Sequence, residues 1–204
     1  MSKYLLLFLL LGTLAHAEDK KSCLPGKWSW IASVKGHFNF TSSKPSNLQR
    51  VEMWQQDQSS LPESKKEDRA ALVLENCDAI RVGGHGPSSV ELPYAASSLS
   101  KISVHEGQDL IQVVSTYSHH VNEQNTQLYL VDTSTTPAHF EKVWDAMTAQ
   151  GIVGSPAILS TLSVADINHD GYADLTLKSL GEKDQTWLWN SKSHRFESFT
   201  KAKP

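Results

Sequence analysis

Apolar residues recur at every second position along most of this chain. Trp28 and Trp30, Val51 and Met53, Leu72 and Leu74, Ile80 and Val82, Leu128 and Leu130, and Leu175 and Leu177 each fall on one side of an extended backbone. That two-residue period is the mark of strands with one buried face, and it predicts an all-β protein built from antiparallel sheets. One stretch carries a second signal. Phe140, Val143, Trp144 and Met147 stand at i, i+3, i+4 and i+7, the apolar stripe of a short amphipathic helix over 140–148 that would end at Gly151. Residues 55–69, QQDQSSLPESKKEDR, have no apolar period and include a proline. They predict an exposed loop, either a binding surface or a tolerated insertion.

The strand pattern also echoes itself. LSKISVHEGQDLIQV from Leu99 and LSTLSVADINHDGYADLTL from Leu159 both run from an apolar strand through a turn to Asp-Leu and a second strand. Each is followed by a further strand, TQLYLV from Thr126 and TWLWN from Thr186, and then by Phe-Glu at Phe140 and Phe196. Two related units follow from this, propeller-blade-like or sandwich-like, with a worn third between Trp28 and Val82. A chance match of short strands gives the same pattern, and the unit register reads 140–147 as strand where the apolar stripe reads helix.

The ends and the composition narrow the setting. Lys3, the apolar run Tyr4 to Leu11 and the small-x-small site Ala15-His16-Ala17 describe a secretory signal peptide over 1–17, too short to span a bilayer. The expectation is a periplasmic or secreted single β domain, 18–204, with no integral membrane segment after cleavage. Removing 17 residues from 204 leaves 187, enough for one domain with a real core, and losing Lys3 takes the net charge from −3 to −4. Nothing in that charge suits a nucleic-acid partner. Cys23 and Cys77 form an even pair in an oxidising compartment, which predicts one disulfide over two free thiols or a metal pair.

Candidate chemistry concentrates at VADINHDGYADLTL. Numbered from Asp166, the residues Asp166, Asn168 and Asp170 fall at positions 1, 3 and 5, Gly171 at 6, Tyr172 at 7 and Asp174 at 9. Alternate oxygen-bearing side chains converge when the chain curls, glycine allows the sharp turn, and the carbonyl of Tyr172 adds a further oxygen. Three carboxylates select a hard cation, Ca²⁺ over zinc, copper or magnesium. A solvated Asx-turn hairpin is the alternative, but the carboxylates repel one another unless a positive charge sits between them. His169, at position 4, points outward and is not a ligand on this reading. Position 12, where an EF-hand needs glutamate, is Leu177, and Leu175 and Leu177 leave as strand. The loop is therefore of the strand-loop-strand kind.

These residues resemble the calcium loop of FG-GAP and VCBS repeats, the blades of integrin-type and bacterial extracellular β-propellers, over about 159–199. The resemblance implies a calcium-bearing blade. Such propellers carry the loop several times and this chain carries it once. Its expected mature length holds about three units, whereas a ring normally needs four. The ending Trp187, Leu188, Trp189, Asn190, Lys192 and Phe196 is similar to that of small periplasmic single-loop β proteins related to periplasmic inhibitors of invertebrate-type lysozyme. That resemblance implies an inhibitor or immunity protein against a peptidoglycan hydrolase.

No nucleophile elbow, His-Glu-x-x-His helix, phosphate loop or Cys-x-x-Cys occurs. VGGHGPSS around His85 reads as a tight turn. His119 and His120 are adjacent on a strand end and face opposite sides, so they do not readily share a metal. Trp28, Trp30, Trp54, Trp187 and Trp189 are either a sugar-stacking platform or core anchors. The expected function is a non-enzymatic module that binds another protein, most sharply a cell-wall hydrolase. An adhesion or envelope-assembly module binding carbohydrate or surface protein, and an extracytoplasmic hydrolase, are the alternatives.

Overall fold

The computed structural model describes residues 23–24, 26–40, 47–57, 59, 69–77, 80–84, 96–118, 121–152 and 158–200. The signal segment, His85, His119 and His120, and the middle of the 55–69 loop lie outside these residues. Among the described residues twelve strands form three antiparallel meanders of four. The first contains β1 (Trp28–Gly36), β2 (Gln49–Gln56), β3 (Arg69–Leu74) and β4 (Ile80–Gly84). The second contains β5 (Ala96–His105), β6 (Gln108–Ser118), β7 (Val121–Asp132) and β8 (His139–Ile152). The third contains β9 (Ile158–Ala165), β10 (Asp174–Ser179), β11 (Gln185–Asn190) and β12 (Arg195–Phe199). The second and third join into one eight-stranded sheet through two pairs, Ala149 with Leu159 and Gln150 with Ile158. The all-β expectation holds. The predicted 55–69 loop is shorter than expected, since β2 runs to Gln56 and β3 begins at Arg69.

The second meander is packed on both faces. On one side Ile111, Val113, Tyr129, Val131 and Phe140 meet Val51, Met53, Ala70, Leu72 and Leu74 of the first sheet. On the other, Leu110, Leu128, Leu130, Val143 and Trp144 meet Leu175, Trp189 and Phe196 of the third. Residues 128–131 of β7 are consequently all buried in succession, a double-sided burial that a period of two does not reveal. Leu24 covers the outer face of the first sheet with Trp54, Ala71 and Val73. The Cys23–Cys77 disulfide ties that segment to the turn after β3 across 54 residues of sequence, a closure contributing about 4 kcal/mol on the chain-entropy model.

The helix expected at 140–148 is not formed; the stretch is the middle of β8. Its spacing comes from a β-bulge. Lys142 pairs with Tyr129 and Trp144 with Leu128, which leaves Val143 as the extra residue. Phe140 therefore enters the first core while Val143 and Trp144 both enter the second. A phase slip in a strand buried on two faces thus produces the i, i+3, i+4 pattern of a helix.

Residues 37–40, which follow β1, lie between strands of the second meander. The His37 carbonyl accepts from the Asp109 N–H (2.9 Å), and the Phe38 carbonyl accepts from the Val131 N–H (2.9 Å). Phe38 thereby enters one core and Phe40 the other. Asp109, 4% exposed, holds this segment. Its Oδ2 accepts from the His37 N–H and from Lys101 Nζ, both at 3.0 Å, and its Oδ1 accepts from Ser103 Oγ. Gly36 is required by this close packing, because a Cβ there would lie 2.6 Å from the Phe38 ring and 2.9 Å from Asp109 Oδ2.

Burial raises the Asp109 pKa, but the hydrogen bonds from Ser103, His37 and Lys101 outweigh it and hold the carboxyl below its ordinary value. A depressed carboxyl contributes stability that is fully present above its unfolded pKa, about 3.9, and is lost as pH falls through the lower folded value. Asp109→Ala should reduce the unfolding free energy by about 3 kcal/mol at neutral pH, read by urea denaturation. The gap between variant and wild type should narrow below about pH 4. A gap unchanged down to about pH 2 would remove Asp109 as the charged anchor.

Candidate metal centre

The aspartate loop connects β9 to β10, closed at its base by the pairing of Ala165 with Asp174. Its side chains curl the backbone. Asp166 Oδ1 accepts from the Asp170 N–H (3.1 Å) and Oδ2 from the Gly171 N–H (3.0 Å). Asn168 Oδ1 accepts from the Asp170 N–H (3.2 Å), and Asp170 Oδ1 accepts from the Tyr172 N–H (2.9 Å). Gly171 adopts φ +89° with open space around it, so glycine is needed here for backbone freedom rather than for room. His169 takes φ 61°, also left-handed, and its side chain is exposed as expected.

Asp174 differs from the other acids. It is fully buried and spends both oxygens on backbone donors: Oδ2 on the Ile167 N–H (2.9 Å) and Oδ1 on the Trp189 N–H (2.9 Å) of β11. It is thus a brace between the loop and the neighbouring strand. The loop also rests on the second meander, where the Val104 carbonyl accepts from the Ala173 N–H (2.7 Å). His105 Nδ1 lies 2.8 Å from the Gly171 carbonyl, and its ring is 4.6 Å from that of Tyr172.

Asp166, Asn168 and Asp170 are brought together on the exposed side of the curl, where Asn168 Nδ2 donates to Asp170 Oδ2 (2.9 Å). Their hard oxygens suit an oxygen-seeking cation by donor chemistry. Among the described residues no three carboxylate, imidazole or thiolate groups converge closely enough to ligate one ion. Ligation by all three aspartates therefore requires side chains to turn inward on a backbone that is already curled.

The remaining candidates separate. Trp54 and Trp189 are buried in different cores and Trp187 packs edge-on to Trp144, which breaks up the proposed stacking platform. Trp30 is left 47% exposed. The β7–β8 turn brings together three groups that sequence spacing did not single out. Thr135 Oγ1 lies 3.0 Å from His139 Nδ1, and His139 Nε2 lies 3.6 Å from Asp132 Oδ2. The order is that of a nucleophile, base and acid, but Thr135 also donates to the Pro137 carbonyl (3.2 Å) on an exposed turn, so the set serves to shape that turn. Ser134, through its side chain and its N–H, lowers the Asp132 carboxyl pKa.

Among the described residues no helix is long and apolar enough to cross a membrane. No family model matches the chain, and no curated protein or solved structure matches it.

The two classes of aspartate should respond differently to mutation in chelator. Asp174→Ala strands two backbone donors and should cost about 3 kcal/mol, whereas Asp170→Ala on the exposed side should cost less than about 1 kcal/mol. Urea denaturation in EDTA reads both, and equal losses would contradict the division of roles.

Proposed function

We propose that this protein is a secreted or periplasmic, calcium-binding, non-enzymatic module that binds another protein, and that its partner is a peptidoglycan hydrolase which it inhibits. The observation that carries the metal is the Asp166–Asp174 curl, with oxygen-bearing side chains at positions 1, 3, 5 and 9 and a left-handed glycine at position 6. Asp166, Asn168 and Asp170, with the Tyr172 carbonyl, would hold Ca²⁺ on the exposed side, and Asp174 would close the shell from beneath. When bound, the ion would neutralise the carboxylates and fix the loop. Its role would be structural.

Support for a protein partner comes from the loop's tip. Ile167 is 40% exposed amid polar neighbours and stands on a base braced by Asp174. An apolar side chain presented on a rigid loop is the form an interface anchor takes. The hydrolase is the sharper part of the reading. It rests on the resemblance of Trp187 to Phe196 to the lysozyme-inhibitor-related proteins, and the FG-GAP or VCBS kinship rests on the calcium loop. The extracytoplasmic setting rests on the signal-like start and the Cys23–Cys77 pair.

Ca²⁺ that binds only the folded form adds RT ln(1 + [Ca]/Kd), about 2.7 kcal/mol at a hundredfold excess over Kd. The melting temperature should therefore rise with millimolar Ca²⁺ in the wild type and stay flat in Asp170→Ala. A wild-type melt insensitive to Ca²⁺ would end the metal assignment. Mixed with a muramidase or an amidase, the protein should form a stoichiometric complex and abolish hydrolysis, and Ile167→Asp should break that complex while leaving the calcium response intact. Undiminished hydrolysis with both enzymes would end the inhibitor assignment.

A further inference from the structure

The outer face of the third meander, turned away from the core, carries an unusual row. Strand register aligns Ser163, Thr176, Thr186 and Phe199, one from each of β9, β10, β11 and β12, through the pairs Ser163 with Thr176, Thr176 with Thr186 and Thr186 with Phe199. Directly paired residues share a face, so three hydroxyls lead across the sheet to an aromatic ring that is 44% exposed. Leu188 on β11 is half-buried one step along the same face, and Asn168 reaches the rim from the loop. Thr186 and Phe199 from this row, with Leu188, Ile167, Asn168 and the β10–β11 turn, line a groove of about 630 Å³, within the 300–1,000 Å³ of small-ligand sites, and Thr176 and Ser163 continue the hydroxyl row beyond it.

The chemistry of the lining selects among ligands. Its charged side chains are Lys183 and Asp184, adjacent and opposite in sign, so the groove offers no net charge to an anion or a cation. Hydroxyls and the amides of Asn168 and Gln185 both donate and accept, which suits a ligand that does the same along its length. The Phe199 ring offers an apolar face for the C–H side of a flat ring. A fatty chain would leave the hydroxyl row unsatisfied, and a nucleic acid or acidic polymer would lack a cationic surface.

We propose that this groove binds a neutral oligosaccharide, with one sugar ring stacked on Phe199 and the next hydrogen-bonded to Thr186 and Gln185. Ile167, proposed above to anchor a hydrolase, lines the same groove, but the glycan assignment rests on Thr186, Leu188 and Phe199 and stands whether or not the hydrolase reading holds. The site also differs from the tryptophan platform that alternation alone suggested, since it is built from β-sheet register and includes no tryptophan.

The test is a titration of the isotope-labelled intact chain with cellotetraose and, separately, chitotetraose, followed by amide chemical shifts. The two probes separate plain hydroxyl recognition from acetamido recognition. Saturable shifts with either one, centred on Gln185, Thr186, Leu188 and Phe199, are expected. Phe199→Ala, a change at an exposed site, should weaken that binding about tenfold, and Thr186→Val should weaken it about threefold, as loss of one ring contact and one hydrogen bond would. The proposal is overturned if neither sugar shifts these resonances at about 10 mM. Shifts confined to another face, or an affinity that Phe199→Ala leaves unchanged, also overturn it. Direct saccharide binding is the readout, so failure here says nothing against the calcium or hydrolase assignments.

Discussion

The fold depends on a buried carboxylate that stitches two sheets together. Asp109 takes hydrogen bonds from the His37 backbone, Ser103 and Lys101, and so fixes a crossing segment whose two phenylalanines fill separate cores. A charge is costly to bury unless its oxygens are satisfied. Here the donors come from three places, and Lys101 stays partly in water while its ammonium reaches inward. The same carboxylate thus settles where the first sheet lies on the second. Its loss would strand the His37 N–H at the head of the segment that carries Phe38 and Phe40.

Asp174 repeats the device one meander later. Both aspartates lie in the opening residues of the second strand of a hairpin, both accept backbone N–H bonds from outside that hairpin, and both precede a leucine buried in the second core, Leu110 or Leu175. The two sites differ in what they hold. Asp109 holds a chain crossing between sheets, whereas Asp174 holds a projecting loop and the adjacent strand. That difference lets the third meander present the exposed acids Asp166 and Asp170 without disturbing its core.

Much of this was legible in the residue pattern. Alternation at Val51 and Met53, Leu72 and Leu74, and Leu175 and Leu177 located strands and their buried faces, and the Asp-Leu echo matches the two hairpins. The loop chemistry was legible because its spacing is local: side chain and backbone partners at 166–172 lie within five residues of each other. Asp109 was not legible as an anchor because His37 is 72 residues away, and nothing in the local pattern announces a donor at that distance. The helix stripe at 140–147 misled for a related reason. A strand buried on both faces has no polar side to keep time, so one bulge changes the phase and imitates a 3.6-residue period.

The same distinction separates metal chemistry from partner chemistry. A calcium loop is specified by residues close in sequence, so its donor set can be read before any fold is known. A binding surface on a sheet is specified by register, which brings Ser163, Thr176, Thr186 and Phe199 into line from four strands spanning 37 residues. Each of these residues is unremarkable alone: serine and threonine are common on exposed strands, and one exposed phenylalanine needs no explanation. Their alignment on a face with balanced charge is what gives them a shared chemistry. Function on an antiparallel sheet is therefore a property of the pairing, and it becomes readable only once the pairing is known.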